Sequence, residues 1–199
     1  TSQNSNTGVG IQAGYSVTSV NNTYVGFLAG NGVSGRSTGG ENSGFGYGAL
    51  SSIRGGIRNV ALGENALLRD STGSNNVGIG VAANQFRIRG DNNIVIGNFA
   101  GEQDSTSNNT VLIGRLAGRL NSRDGIVAIG FQSLINNSTG LGSNPLDSAL
   151  YNTAVGFNSL VNNTKGGWNT AIGYQAGQNN STGFYNTSLG VNALYNTTT

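Results

Sequence analysis

Asn152-Thr153-Ala154-Val155-Gly156-Phe157-Asn158-Ser159-Leu160 returns 17 residues later as Asn169-Thr170-Ala171-Ile172-Gly173-Tyr174-Gln175-Ala176-Gly177, and again at 186–194. Centred on its glycine, the phrase occurs eleven times, at Gly10, Gly26, Gly46, Gly63, Gly80, Gly97, Gly114, Gly130, Gly156, Gly173 and Gly190. The spacing is 16 or 17 residues except for Gly26 to Gly46 (20) and Gly130 to Gly156 (26). A period this short means a stack of small coils, not a globular domain around one pocket. The repeat runs from end to end, so residues 1–199 read as a single repeat domain. Function is then confined to the outer surface, the over-long coils or the ends.

The residue before each glycine is large and apolar: Val9, Val25, Phe45, Leu62, Ile79, Ile96, Ile113, Ile129, Val155, Ile172 and Leu189. Three residues after it stands Ala or Ser without exception, and four before it stands Asn except at Thr110 and Ile126. Frequent Gly, Asn and β-branched residues, with no apolar residues at helical spacing, exclude helix. Alternation predicts a strand in which Thr170, Ile172 and Tyr174 share a face. Stacking the coils about 4.8 Å apart places the eleven apolar residues in one interior ladder along a rod about 50 Å long. The glycine implies a bend, a positive φ or the close approach of another backbone, and the constant Ala implies no room for more.

The remainder of each coil is polar and turn-forming, as in Ser71-Thr72-Gly73-Ser74-Asn75 and Asn179-Asn180-Ser181-Thr182-Gly183. One apolar strand and one polar return predict a parallel β-roll. Such a coil has little interior, and burying a second face against other subunits remedies that.

Cys, His and Met are absent, so no disulfide framework or thiolate metal site is expected and the redox compartment cannot be read. The missing initiator Met marks a fragment or a processed chain, without signal peptide or membrane-spanning run. A net charge of +2 argues against nucleic acid. Arg54, Arg58, Arg69, Arg87, Arg89, Arg115, Arg119 and Arg123 cluster in the middle third, interleaved with Glu64, Asp70, Asp91, Glu102 and Asp104. They read as a solvated, charge-paired belt or, more sharply, as a site for anionic glycans.

Gly8-Val9-Gly10-Ile11-Gln12-Ala13 and Gly78-Ile79-Gly80-Val81-Ala82-Ala83 match a loose dinucleotide fingerprint, but no helix follows either. Without His or Cys, with one lysine (Lys165) and scattered acids, no catalytic constellation, metal site or cofactor is expected. The Asn-x-Ser/Thr triplets follow from composition. A broken Thr column at Thr7, Thr23, Thr153, Thr170 and Thr187, replaced by Val60, Val77, Ile94, Val111 and Val127 between, argues against an ice-binding face.

Extra residues fall near 31–41 and 135–150, the second stretch carrying the only proline, Pro145. Insertions in solenoids map to surface loops, often on the binding face. Asn144, Asp147 and Tyr151 offer hydrogen-bonding groups and an aromatic face, and are the candidate receptor-binding residues.

The phrase Asn-Thr-Ala-Val/Ile-Gly-x-x-Ala/Ser, at 152–159 and 169–176, resembles the head repeats of YadA-type trimeric autotransporter adhesins and related repeats of phage tail fibres. The resemblance covers essentially the whole chain, although its coils are longer than those of the adhesin heads, which favours the fibre-like relatives. It implies left-handed parallel β-rolls packed three abreast as a homotrimer. It further implies a non-enzymatic spacer and attachment module on a cell or virion surface, facing a host glycan or protein receptor. The alternative is a filament subunit stacking end to end.

Overall fold

The computed structural model describes residues 5–32, 37–137 and 149–198. Eleven three-residue strands follow one another: β1 (Thr7–Val9), β2 (Thr23–Val25), β3 (Ser43–Phe45), β4 (Val60–Leu62), β5 (Val77–Ile79) and β6 (Ile94–Ile96), then β7 (Val111–Ile113), β8 (Val127–Ile129), β9 (Thr153–Val155), β10 (Thr170–Ile172) and β11 (Thr187–Leu189). They form one sheet in strict chain order, every pair parallel. Register is set by the repeat: Val155, Ile172 and Leu189 lie side by side, as do Leu62, Ile79 and Ile96. The chain is an all-β solenoid with a period near 17 residues, as the repeat predicts.

The glycine behind each strand is required twice over. Its φ lies between 116° and 138° in all eleven copies, a region closed to residues with a Cβ. A Cβ added at Gly63 would stand 2.6 Å from the Gly80 carbonyl oxygen of the next coil. The Ala column behaves as expected, with Ala29, Ala49, Ala66, Ala83, Ala100, Ala117 and Ala176 fully enclosed.

The ladder is in register but faces the other way. The inward residue is the middle one of each strand, buried in β2 to β11, and the large apolar residue after it points outward. Leu62 is 50% exposed and Ile172 40%, while their strand neighbours Ala61 and Ala171 are fully buried. All eleven ladder residues are exposed or half-buried in the single chain.

The interior is filled by a trade between two inward positions of each coil, the middle of the strand and the fourth residue after the repeat glycine. Tyr24 is matched by Gly30, Val95 by Gly101 and Leu112 by Gly118. Small Gly44, Ala61, Ala128 and Ala154 are matched by Leu50, Leu67, Leu134 and Leu160. The glycines give way to these side chains: a Cβ at Gly118 would lie 2.6 Å from Leu112, and one at Gly78 2.8 Å from Leu67. In these coils volume moves from one wall to the other, whereas in the tenth coil both positions, Ala171 and Gly177, are small.

The return is not a strand, yet it is hydrogen-bonded as fully as one. In the fourth coil Val60, Leu67 and Arg69 donate forward to Asn76, Ala83 and Gln85, and Gly63 and Asn65 donate back to Phe45 and Tyr47. Left-handed residues such as Asn65 (φ 56°) and Leu67 (φ 49°) interrupt the run of extended backbone. Bonds to neighbouring coils therefore alternate around the return with tight bonds inside the coil, such as Ala66 N–H to Gly63 and Asp70 N–H to Leu67, in keeping with the pairing a buried backbone needs.

The recurring Asn ties return to strand. The backbone N–H of each donates to the side-chain oxygen of the Asn before it: Asn42 to Asn22 (2.9 Å), Asn59 to Asn42 (2.9 Å), Asn76 to Asn59 (3.0 Å). The Nδ2 then crosses the coil to a carbonyl 14 residues on, Asn59 to Gly73 (2.8 Å) and Asn169 to Gly183 (2.7 Å).

A second polar column is buried seven residues after the repeat glycine, with Asp70, Arg87, Asp104, Asn121, Asn137, Asn163 and Asn180 in successive coils. This corrects the solvated-belt reading of the charges. Arg87 and Asp104 pair at 3.3 Å with both side chains fully buried. Arg87 also donates to the Ser107 carbonyl at 2.7 Å. Asn84 replaces the leucine its coil would otherwise carry; with its oxygen toward the guanidinium it accepts from Nη2 at 3.0 Å. Other pairs of the belt are outside: Arg58 meets Glu41 at 2.9 Å and Arg119 meets Glu102 at 2.6 Å.

Candidate interaction surfaces

Three outward surfaces are distinct in chemistry. The first is the open face of the sheet. Each strand shows its first and third residues there, and the residue after the glycine extends the face sideways. Val60, Leu62, Ile94, Ile172 and Leu189 stand exposed on it, beside Phe27, Tyr47, Phe157 and Tyr174. Their alignment follows from in-register stacking, which brings like side chains to adjacent coils. Phe27 stacks on Tyr47 with centroids 5.5 Å apart, Phe131 on Phe157 at 5.1 Å, and Phe157 on Tyr174 at 5.4 Å. Arg115 continues the last stack by lying over Phe131 at 5.6 Å. The face is apolar through its middle strands and edged by Thr at both ends of the stack.

The second surface is the edge just ahead of the strands. In the middle coils it is a polar ladder of side chains that accept from backbone: Ser74 N–H donates to Asp91 (2.7 Å), Asp91 N–H to Asn108 (2.9 Å) and Asn108 N–H to Asp124 (2.7 Å). In the last three coils it becomes aromatic. Tyr151 and Trp168 stand 5.8 Å apart, Trp168 and Tyr185 5.5 Å, with Phe184 6.3 Å from each of the last two. Tyr151 is 53% exposed and Trp168 39%. Tyr151 therefore belongs to a regular coil position, with φ 55° like Trp168 at 56°, rather than to the inserted loop. The other two receptor-binding candidates, Asn144 and Asp147, lie outside the described residues. The insertion leaves and rejoins the stack at fixed points. Asn137 and Asn152 both donate to the Ala149 carbonyl, at 3.0 and 3.1 Å. Trp168 and Tyr185 were missed by reading the insertion alone; their recurrence in steps of 17 residues from Tyr151 is the signal that finds them.

The third surface is a groove on the return side, lined by Ser52, Arg54, Arg69, Ser71 and Ile88, with about 260 Å³ of accessible space. It belongs to the arginine-rich middle third, and none of its residues comes from the insertions.

Among the described residues no three His, Cys, Asp or Glu side chains converge, and no helix is long and apolar enough to cross a membrane. The two glycine-rich stretches resembling a dinucleotide fingerprint are strands, each followed by turns. No protein-family model matches the chain, and neither a curated protein nor a solved structure does.

Proposed function

We propose that the chain is a non-enzymatic segment of a trimeric extracellular fibre, of the adhesin-head or phage tail-fibre type, serving as rigid spacer and host-surface attachment module. Three left-handed rolls stand side by side and cover one another's sheet faces. The carrying observation is that apolar face: the ladder residues point out of the single chain along the full stack. A monomer rarely leaves so continuous an apolar surface open, whereas an assembly buries it. Rigidity follows from backbone bonds around the whole perimeter of each coil. The tip and edges of the fibre meet a host glycan or protein receptor, and the Tyr151–Trp168–Tyr185 edge stays free when the sheet face is covered.

Light scattering tests this directly. A mass of three 20.3 kDa chains is expected. A cooperatively folded monomer at micromolar concentration would overturn it. The second reading, a filament growing end to end, rests on the strictly parallel, in-register stacking, which a further coil of the same kind would continue. It would give a polydisperse series of masses.

A further inference from the structure

We infer that the groove of Ser52, Arg54, Arg69, Ser71 and Ile88 binds the carboxylate or sulfate group of an acidic sugar. This deepens the attachment reading by naming a ligand class, yet the site is built by one chain alone, so binding and trimer formation are measured separately.

The geometry comes from the coil. The sixth and eighth residues after the repeat glycine point outward on either side of an inward seventh. In the third and fourth coils these are Ser52 and Arg54, then Arg69 and Ser71, joined by Ser52 N–H to Leu68 and Arg54 N–H to Ser71, at 3.0 and 2.9 Å. The result is a two-by-two array with arginines at one diagonal and serines at the other. In the coils that follow, these positions hold Phe86, Gln103 and Leu120, and Ile88, Ser105 and Ser122, so no other pair of adjacent coils among these repeats builds it.

Neither arginine enters an ion pair among the described residues. The ion pairs among the described residues engage Arg58, Arg87 and Arg119, and leave Arg54 and Arg69 without a carboxylate partner. Arg69 is steadied by Phe86, 5.1 Å from guanidinium to ring centre. Ser71 donates its hydroxyl proton to the Ile88 carbonyl at 2.8 Å, which turns its oxygen lone pairs outward as acceptors. Two guanidinium forks suit one flat or tetrahedral oxyanion. The serine oxygens and the Ile88 side chain suit sugar hydroxyls and an apolar ring face. The accessible space, about 260 Å³, is slightly below the range of about 300–1,000 Å³ typical of drug-sized ligands and matches a single sugar unit.

The test is titration of the full chain with N-acetylneuraminic acid, glucose 6-sulfate, lactose and sodium sulfate, followed by calorimetry or amide chemical shifts. Either acidic sugar should bind, with affinity falling as salt rises, and lactose should not. Arg54→Gln with Arg69→Gln should weaken binding about tenfold or more. Ser52→Trp, which fills the groove and keeps both charges, should abolish it, and Arg89→Gln should leave it unchanged. Thermal melts confirm that each variant folds. Equal binding of lactose, sulfate binding as tightly as the acidic sugars, no binding of either acidic sugar, or binding untouched by the double variant would each overturn the inference. The mass of the assembly, read on the same samples, reports on the trimer independently.

Discussion

At Gly97 the backbone turns at φ 131°, and a Cβ would meet the Gly114 carbonyl of the next coil at 2.6 Å. Gly190 has a similar φ of 116° but nothing within 4 Å of the added atom. Gly190→Ala should therefore cost only the conformational strain, about 1–3 kcal/mol. Gly97→Ala adds a collision with rigid backbone and should lower the thermal midpoint clearly further; equal losses would show that handedness alone demands the glycine. Asp70 poses an electrostatic problem of the same scale. Burial pushes its carboxyl up to about 7, against the pull of Arg87 and the Gly73 and Asn76 hydrogen bonds, with Asp91 adding to the rise. An unfolded chain releases this proton from about pH 4, whereas the folded chain keeps it to about pH 7. The unfolded state thus binds fewer protons between those limits, so stability falls as pH rises across them and levels off above. Asp70→Asn retains an oxygen for the Gly73 N–H and should flatten that slope, as read from urea midpoints between pH 4 and 8. An unchanged slope would assign it to another group.

At the scale of the element, the Asn ladder is what makes a three-residue strand sufficient. Asn59 accepts from the Asn76 backbone and donates to the Gly73 carbonyl, both within a buried seam. Asn59→Ala leaves two buried backbone groups unpaired and should cost about 2–4 kcal/mol, measured by chemical denaturation. Little loss would mean that the return holds itself in place. The ladder tolerates Thr110, whose hydroxyl still donates to Asn93 at 2.7 Å, and it is interrupted at Ile126, which joins the apolar core instead. Strand positions, register and the need for glycine were all legible in the repeat. Which side of the strand faces inward was not read correctly, because the outward column of Val, Ile, Leu and Phe is more uniformly apolar than the inward one. The inward column varies from Gly44 to Tyr24, and only its size trade with the position six residues later exposes it as core. Charge misled in the same way: Asp70, Arg87 and Asp104 look like surface residues until their shared place, seven residues after the repeat glycine, aligns them with Asn121, Asn137 and Asn163. Of the candidate site, Tyr151 was legible as an exposed ring, but its partners come from the repeat and not from the insertion.

For the whole molecule, the reversed ladder moves the expected consequence of a charge from folding to assembly. Ile96 and Val95 are neighbours in β6, yet Val95 is fully buried in the solenoid core and Ile96 lies half-buried on the open sheet face. Val95→Asp places a carboxylate among Leu112, Ala100 and Ala83 of the same core cluster and should abolish the fold. Ile96→Asp leaves the charge in water in one chain, and removes it from water only when other copies cover the face. In a trimer with rotational symmetry the substitution enters three times, so a cost of even a few kcal/mol per site weakens assembly steeply. The expected result is a fall in mass from three chains to one at micromolar concentration, with the β circular dichroism signal retained. Arg89→Asp, on the return side, should leave the mass at three chains. An Ile96→Asp protein that stays trimeric would place the interface elsewhere on the coil, and would leave the apolar sheet face as the surface still in need of a partner.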